Sequence, residues 1–481
     1  MRKILDTAHQ RRIRLLEILL SKNDFVTMSV LAKEVEASER TVAEDLTQLK
    51  VKYSEELHME ISRKNGVRLI HPNIASAGLV FRDTFQESVA LMWLKELLLH
   101  PYQPMEYYEE KLFASKSTLQ RMLPRINNFL DVYDMRIEAV GGLYSIFSKD
   151  EGFLRDFYAS FLLELYGLNL KEYDLSLDLS VLSKITLANL KNAVPKDHLA
   201  WIAQDDLSLI YRMMFYLVSL FREEHGFSMK SQYPLESELS PEDLTALRQH
   251  FPRITKETLR GTHEYLYLQQ SGFHTEKEKK QVTTEVLRFI DRFTQRLNYR
   301  TSSGQKDRFL FVVLSVYYKA KLRKKDTSLL FDRVYYFSES LGRENPFLYT
   351  VVKEELSVLS QRLDFDLHMN LHNILFWFLL AEPSLAGVSR RKTALLLSDF
   401  GTPHSIFLKN RLEHFFKSTN IDLSVDLPID FSLPDESDLK KYDIILTTLS
   451  DSALPHPCVQ VIGDLCSMED CYDIYEKLKD N

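Results

Sequence analysis

The stretch from Val35 to Pro72, VEASERTVAEDLTQLKVKYSEELHMEISRKNGVRLIHP, constrains this chain more than any other, because a helical period gives way inside it to a strand period. Val42, Leu46 and Leu49 fall on one helical face and leave Glu39, Arg40, Ala43, Glu44 and Thr47 on the opposite one. Met59 and Ile61 then alternate with polar residues, Asn65-Gly66 supplies a type I′ turn, and Val67 and Leu69 resume the alternation, which is the pattern of a β-hairpin. Upstream, Ile13, Leu16 and Leu20 predict an amphipathic first helix beside three arginines. Thr27 suits the cap of a second helix, Met28 to Val35, that buries Val30, Leu31 and Val35, and Ser38 suits the cap of the third. Helix, helix, tight turn, helix and hairpin in that order describe a winged helix-turn-helix, whose third helix offers its polar face to a major groove. A bare helix-turn-helix is as readily a packed helical corner. The hairpin and its basic tip, Arg63-Lys64-Asn65, shift the balance toward DNA.

The pattern occurs twice. Ala37, Ser38, Thr41 and Leu46 of VEASERTVAEDL match Ala114, Ser115, Thr118 and Leu123 of LFASKSTLQRML at one offset (114 − 37 = 77 residues). The second copy has its own flanking parts: an apolar helix from Phe85 to Leu99, another from Met105 to Phe113, a third from Ser115 to Leu130, and a hairpin turned by Gly141-Gly142. Residues 1–72 hold 13 Lys and Arg against 11 Asp and Glu, a net +2, whereas residues 73–150 hold 8 against 10, a net −2. Cationic side chains supply most affinity for the phosphate backbone, so the first module is expected to make the primary contact. Pro124 is expected to kink or interrupt the second copy's third helix. Candidate DNA contacts are Ser38, Glu39, Arg40, Thr41, Glu44 and Lys50 on the third helix with Arg63 and Lys64 on the wing. In the second copy they are Ser115, Lys116, Ser117, Gln120 and Arg121.

The whole chain, 481 residues at formal charge −7, leaves that entire deficit on residues 151–481 once the two modules cancel, so DNA is expected to meet only the N-terminal region. Its three cysteines, Cys458, Cys466 and Cys471, form no pair of CxxC motifs, which argues against zinc and for a reducing compartment. The opening MRKILDTAHQRR is too polar for the apolar core of a signal peptide, and no run of about 18 apolar residues occurs. The expectation is a cytoplasmic protein with no membrane partner, no metal and no cofactor.

From Glu151 to about Pro383 long apolar stretches at helical spacing dominate, among them FLRDFYASFLLELYGL, LSLIYRMMFYLVSLF, FLFVVLSVYYKAKL and LHNILFWFLL. The charged HTEKEKKQ near residue 275 divides them into two bundles. Beyond them, KTALLLS (Lys392 to Ser398), Ile421 to Val425, Tyr442 to Thr448 and Val459 to Ile462 read as strands of a small parallel sheet, with the helix IFLKNRLEHFF after the first.

Two winged modules, two helical bundles and an α/β piece in this order resemble the Mga/AtxA family of Gram-positive virulence regulators over essentially the whole chain. The resemblance implies a multidomain, mainly α protein with boundaries at 1–72, 73–150, 151–275, 276–388 and 389–481. It also implies that the bundles are similar to phosphotransferase-system regulation domains, tuned by histidine phosphorylation from sugar-uptake phosphocarrier proteins. His198 in the first bundle and His372 in the second are the candidate acceptors, with His225, His263 and His368 behind them. For His198 and His372 the alternative is a surface or helix-capping residue with no phosphate chemistry, the commoner role for a histidine. His368 and His372 have the i, i+4 spacing of a metal pair but no acidic residue of an HExxH motif. The last piece is similar to IIB phosphotransferase domains, in which the first strand runs into a phosphate-accepting cysteine of CxxG. Here Ser398-Asp399-Phe400-Gly401 stands in that place. An unactivated serine is a poor substitute for a thiolate, so the domain is expected to serve self-association, with His404 left as an anion ligand at the following helix start.

These readings favour a DNA-binding transcription regulator, a global or virulence activator working as a homodimer or higher oligomer on double-stranded promoter DNA and not an enzyme. A phosphotransfer-system component is disfavoured by the missing cysteine. An RNA-binding antiterminator is disfavoured because helices precede every hairpin.

Overall fold

In the computed structural model, residues 1–22, 24–70, 74–167, 179–193, 206–229, 239–268, 275–322, 330, 332–388, 390–417, 419, 421–428, 435–449 and 454–480 are described. They form a mainly helical chain with three small sheets. Contacts divide it into two compact units, residues 1–274 with 317–336, and residues 275–316 with 337–481. The division near residue 275 coincides with the charged HTEKEKKQ stretch, whereas residues 317–336 join the first unit.

The first unit opens with α1 (Thr7–Ser21), α2 (Met28–Glu34) and α3 (Glu39–Lys52), followed by the hairpin β1 (Met59–Ser62) and β2 (Gly66–Leu69). Asp6, Thr27 and Ser38 cap the three helices, each side-chain oxygen accepting a first-turn backbone N–H. Ile13, Leu16, Leu31, Val42, Leu46 and Leu49 are buried as the helical pattern demands. Val30 is 48% exposed rather than buried, because Leu31 and Ala32 are the residues that α2 turns inward. The wing also differs from expectation. Ser62 pairs with Gly66, so Arg63, Lys64 and Asn65 form a three-residue loop and Gly66 belongs to the strand. Gly66 has φ +102°, and a Cβ there would lie 2.1 Å from the Val26 carbonyl oxygen. That approach exists because Val26 bridges Val67 with both backbone hydrogen bonds at 2.8 Å, adding a third strand residue ahead of α2.

The second copy comprises α4 (Ile74–Glu87), α5 (Val89–Leu99), β3 (Gln103–Pro104), α6 (Met105–Leu112), α7 (Lys116–Leu130), β4 (Met135–Val140) and β5 (Leu143–Ser148). The single helix expected over Phe85 to Leu99 is broken at Ser88, whose hydroxyl caps α5. Helix α7 runs through Pro124 without interruption, so that proline removes one backbone bond but does not end the helix. Gly141 and Gly142, at φ +61° and +82°, close the hairpin as a two-residue loop between the paired Val140 and Leu143.

The 77-residue repeat extends to features invisible in the residue letters. The left-handed residue of the turn is Glu36 in the first copy and Phe113 in the second (113 − 36 = 77), at φ 53° and 48°. The strand residue ahead of the helix pair is Val26, bridging Val67, and Gln103, pairing Tyr144 (103 − 26 and 144 − 67 both 77). Both wings therefore gain a partner ahead of the helix pair, a single bridging residue in the first module and the two-residue strand β3 in the second.

Behind the modules, α8 (Glu151–Tyr166) packs against the helix Asp206–Glu224 around a buried ion network. Arg155, fully buried, donates to Glu151 and Glu223, and Arg222 donates to both Glu151 oxygens and to the Ile146 carbonyl of β5 at 3.1 Å. The second wing is thus hydrogen-bonded to the first bundle.

In the second unit Phe289 and Phe293 of the helix Glu276–Arg296, Phe309 of the helix Ser303–Leu322 and Phe378 of the helix Leu371–Ala381 cluster their rings. A parallel sheet follows in the order β7-β6-β8-β9, with β6 Arg390–Leu397, β7 Ile421–Asp426, β8 Ile444–Thr447 and β9 Val459–Val461. The helices Thr402–Phe416 and Met468–Asp480 supply Leu408, Leu412, Phe416, Ile474 and Leu478 to the larger of its two apolar clusters.

Candidate nucleic-acid interface

Helix α3 is held from below and bare above. Asp45 is 3% exposed, and its carboxylate takes hydrogen bonds from Arg11 and from Arg12, the latter at 3.1 Å. A charge that the sequence places among the acids of the recognition helix is therefore turned inward, where it fixes α3 to α1. Lys52 is likewise committed, to Glu87 at 2.7 Å and Asp83 at 3.0 Å. Burial works against its ammonium, but Glu87, Tyr53 and Asp83 outweigh that and raise its pKa above the usual lysine range. The Tyr53 hydroxyl donates to Asp83 at 3.0 Å, and Arg125 of α7 donates to the Ile4 carbonyl at 2.7 Å, so the two modules are tied together.

The solvent face of α3 keeps Glu39, Arg40, Glu44, Thr47, Gln48 and Lys50 exposed. The Arg40 side chain is 90% exposed and, among the described residues, pairs only across one helical turn with Glu44 at 3.1 Å. Such an exposed i, i+4 pair is worth a few tenths of a kcal/mol, so a phosphate or base edge displaces it cheaply. Ser38 and Thr41 are joined by the cap, Thr41 N–H to Ser38 Oγ at 3.1 Å, so their first duty is structural. The Thr47 hydroxyl donates back to the Ala43 carbonyl. At the wing tip Arg63 and Lys64 are exposed and form no ion pair among the described residues. Arg68, by contrast, is spent on Glu60 and lies over the Phe25 ring at 4.5 Å.

In the second module Ser115 caps α7, accepting from the Thr118 N–H at 3.3 Å, and Ser117, Gln120 and Arg121 are exposed. Lys116 is exposed too but bonds Glu106 at 2.7 Å, and that carboxylate raises its pKa. The wing tip here is Gly141-Gly142 with no cation. The second face is built like the first and is poorer in free positive charge.

Sequence reasoning missed the Asp45 clasp, because a burial pattern scored on apolar residues skips a buried acid. It also missed the bridge from Val26 to the wing; the signal was the apolar Val26 directly before the capping Thr27.

The histidines lie elsewhere. His372 is half-buried in the first turn of the helix Leu371–Ala381. His198 falls outside the described residues. His368 is exposed with Nε2 3.0 Å from Ser357 Oγ, and His225 bonds the Phe221 carbonyl. His263 is buried, and that burial pushes its imidazole down to about 4.

Comparison with known proteins agrees with the repeat. Residues 7–65 match the family model described as the M protein trans-acting positive regulator (MGA) HTH domain, and residues 75–146 match the Mga helix-turn-helix domain. The chain is 23% identical over 128 residues to the capsule synthesis positive regulator AcpB of Bacillus anthracis, 27% of each protein. It is 25% identical over 130 residues to a protein of Streptococcus pneumoniae serotype 4 named as a trans-acting regulator, 27% of this chain and 26% of that one. The matches thus span about a quarter of the length of these relatives. One family domain thus falls on each copy of the structural repeat, and the two N-terminal modules are similar to Mga-type helix-turn-helix domains.

Proposed function

We propose that this chain regulates transcription by binding double-stranded promoter DNA in the cytoplasm through its first winged module, with the second module making a weaker contact. The observation that carries the reading is the rigidly seated α3, whose inner carboxylate is neutralised by Arg11 and Arg12 while Arg40, Lys50, Arg63 and Lys64 stay exposed. Glu39 and Glu44 keep the net attraction small, so one module binds weakly and several joined on one DNA bind well. The names of the two relatives, both regulators, point the same way. No described helix is long and apolar enough to cross a membrane.

The same reading assigns control to oligomerisation through residues 389–481 and to phosphorylation of His198 or His372 by phosphocarrier proteins. Virulence-type activation belongs to this proposal as well. Footprinting of the purified chain on upstream regions tests it: protection of a discrete promoter segment supports the reading, and uniform or absent protection overturns it. Loss of mass per particle in sedimentation after deletion of residues 391–481 is the expected sign of self-association, and an unchanged oligomeric state removes that part.

A further inference from the structure

The carboxyl edge of the C-terminal sheet carries a serine–histidine pair that the DNA-binding reading does not use. The chain leaves β6 for β7 on one side and returns to β8 on the other, so the topological switch point lies between β6 and β8. In open parallel sheets that crevice is where ligands bind. Ser398 directly follows β6, Thr448 directly follows β8, and Asp464 lies beyond β9.

Ser398 Oγ is 2.7 Å from His404 Nδ1, and His404 Nε2 is 2.6 Å from the Asp464 backbone carbonyl oxygen. A carbonyl only accepts, so Nε2 carries the hydrogen and donates it. Nδ1 then presents its lone pair, and the Ser398 hydroxyl donates to it. This is the arrangement of a nucleophile, its base and a group that orients the base. The serine is not unactivated, as its sequence context suggests, and both ring nitrogens are engaged, so His404 does not serve as a direct anion ligand. The Phe400 N–H donates to Ser398 Oγ at 3.2 Å and fixes the hydroxyl from the other side. The Asp399 carboxylate accepts from the Thr448 hydroxyl at 2.7 Å. The helix Thr402–Phe416 begins here on Gly401, which has no side chain to cap it, so its first-turn N–H groups favour added negative charge beside the serine.

We propose that Ser398 is a phosphoryl-acceptor hydroxyl, with His404 as its general base, and that the donor is an activated phosphoryl compound, either an acyl phosphate or a phosphoimidazole. Ser398 Oγ attacks phosphorus and forms the O–P bond while the donor's bond to phosphorus breaks. The donor's carboxylate or imidazole leaves with the bonding pair, and the hydroxyl proton passes to His404 Nδ1 and on to water or the leaving group. No electrons are exchanged with an oxidant or reductant. The inference stands independently of DNA binding.

The test incubates the full chain with acetyl phosphate in one arm and phosphoramidate in the other, followed by acid quench and peptide mass mapping. The expected product is one acid-stable phosphoryl group on Ser398. It is absent in Ser398→Ala, retained in Ser398→Thr, and formed about tenfold or more slowly in His404→Gln, as for loss of a general base. Unchanged melting temperatures of these variants separate loss of chemistry from loss of fold. Which arm labels faster identifies the donor class. Equal rates in wild type and His404→Gln, a phosphoryl group on His404 in place of Ser398 in a parallel alkaline quench, transfer of acetyl instead of phosphoryl, or no transfer from either donor each overturn the assignment.

Discussion

The Asp45 carboxylate of the recognition helix lies on the Arg12 guanidinium of the first helix, Nε to Oδ1 3.1 Å, with Arg11 on its other oxygen. This clasp orients α3 while leaving its outer face free. Asp45→Ala strands two half-buried cations and is expected to cost about 2 kcal/mol. A thermal or urea melt measures it; a melt indistinguishable from wild type shows that apolar packing alone seats the helix.

Gly66 and Gly142 share a positive φ but not their surroundings. A Cβ at Gly66 meets the Val26 backbone, whereas at Gly142 nothing lies within 4 Å. Alanine at Gly142 should cost about 1 kcal/mol for the left-handed backbone, and alanine at Gly66 clearly more, with loss of the Val26–Val67 bridge. Amide exchange at Val26 and Val67 reads the difference, and equal destabilisation by the two substitutions would count against the close packing of Val26 on the first wing.

Glu151 receives Arg155 Nε at 3.1 Å and two Arg222 nitrogens at 2.8 Å. Because both guanidiniums are buried, Glu151→Gln is expected to destabilise the first unit by about 3 kcal/mol. Arg222 also holds the Ile146 carbonyl, so amide protection should fall in β5 as well as in the bundle. Loss confined to the bundle would mean that the network does not reach the wing.

His263 gives a pH dependence of known sign. Burial holds its pKa near about 4, against an ordinary 6.5, so the unfolded chain binds more protons between those values. Its contribution is complete above about pH 6.5 and is lost as the pH falls toward 4, a total of about 3 kcal/mol. His263→Phe should flatten that part of the stability profile. An unaltered slope would show the imidazole to be solvated.

The helices and the wings were legible in the sequence because apolar spacing and capping residues are local signals. Ser38 and Ser115 mark the starts of α3 and α7 as written. What escaped depends on partners distant in sequence. Gly66 reads as half of an Asn-Gly turn until Val26 is brought against it, and Asp45 reads as a surface acid until α1 packs below. Lys52 adds to the basic count of the third helix until Asp83 and Glu87 of α4 claim it. The Ser398–His404 pair escaped for a different reason: six residues apart across a turn, its geometry depends on a carbonyl contributed by Asp464.

The most direct measurement is the salt dependence of binding to a footprinted promoter fragment, for wild type and for the variant carrying Arg40→Ala, Lys50→Ala, Arg63→Ala and Lys64→Ala. Loss of about four phosphate-neutralising cations should weaken binding and reduce the slope of log affinity against log salt by up to about 4, with the melting temperature unchanged. Equal affinity and equal slope for the two proteins would contradict the assignment of α3 and its wing as the DNA-binding surface.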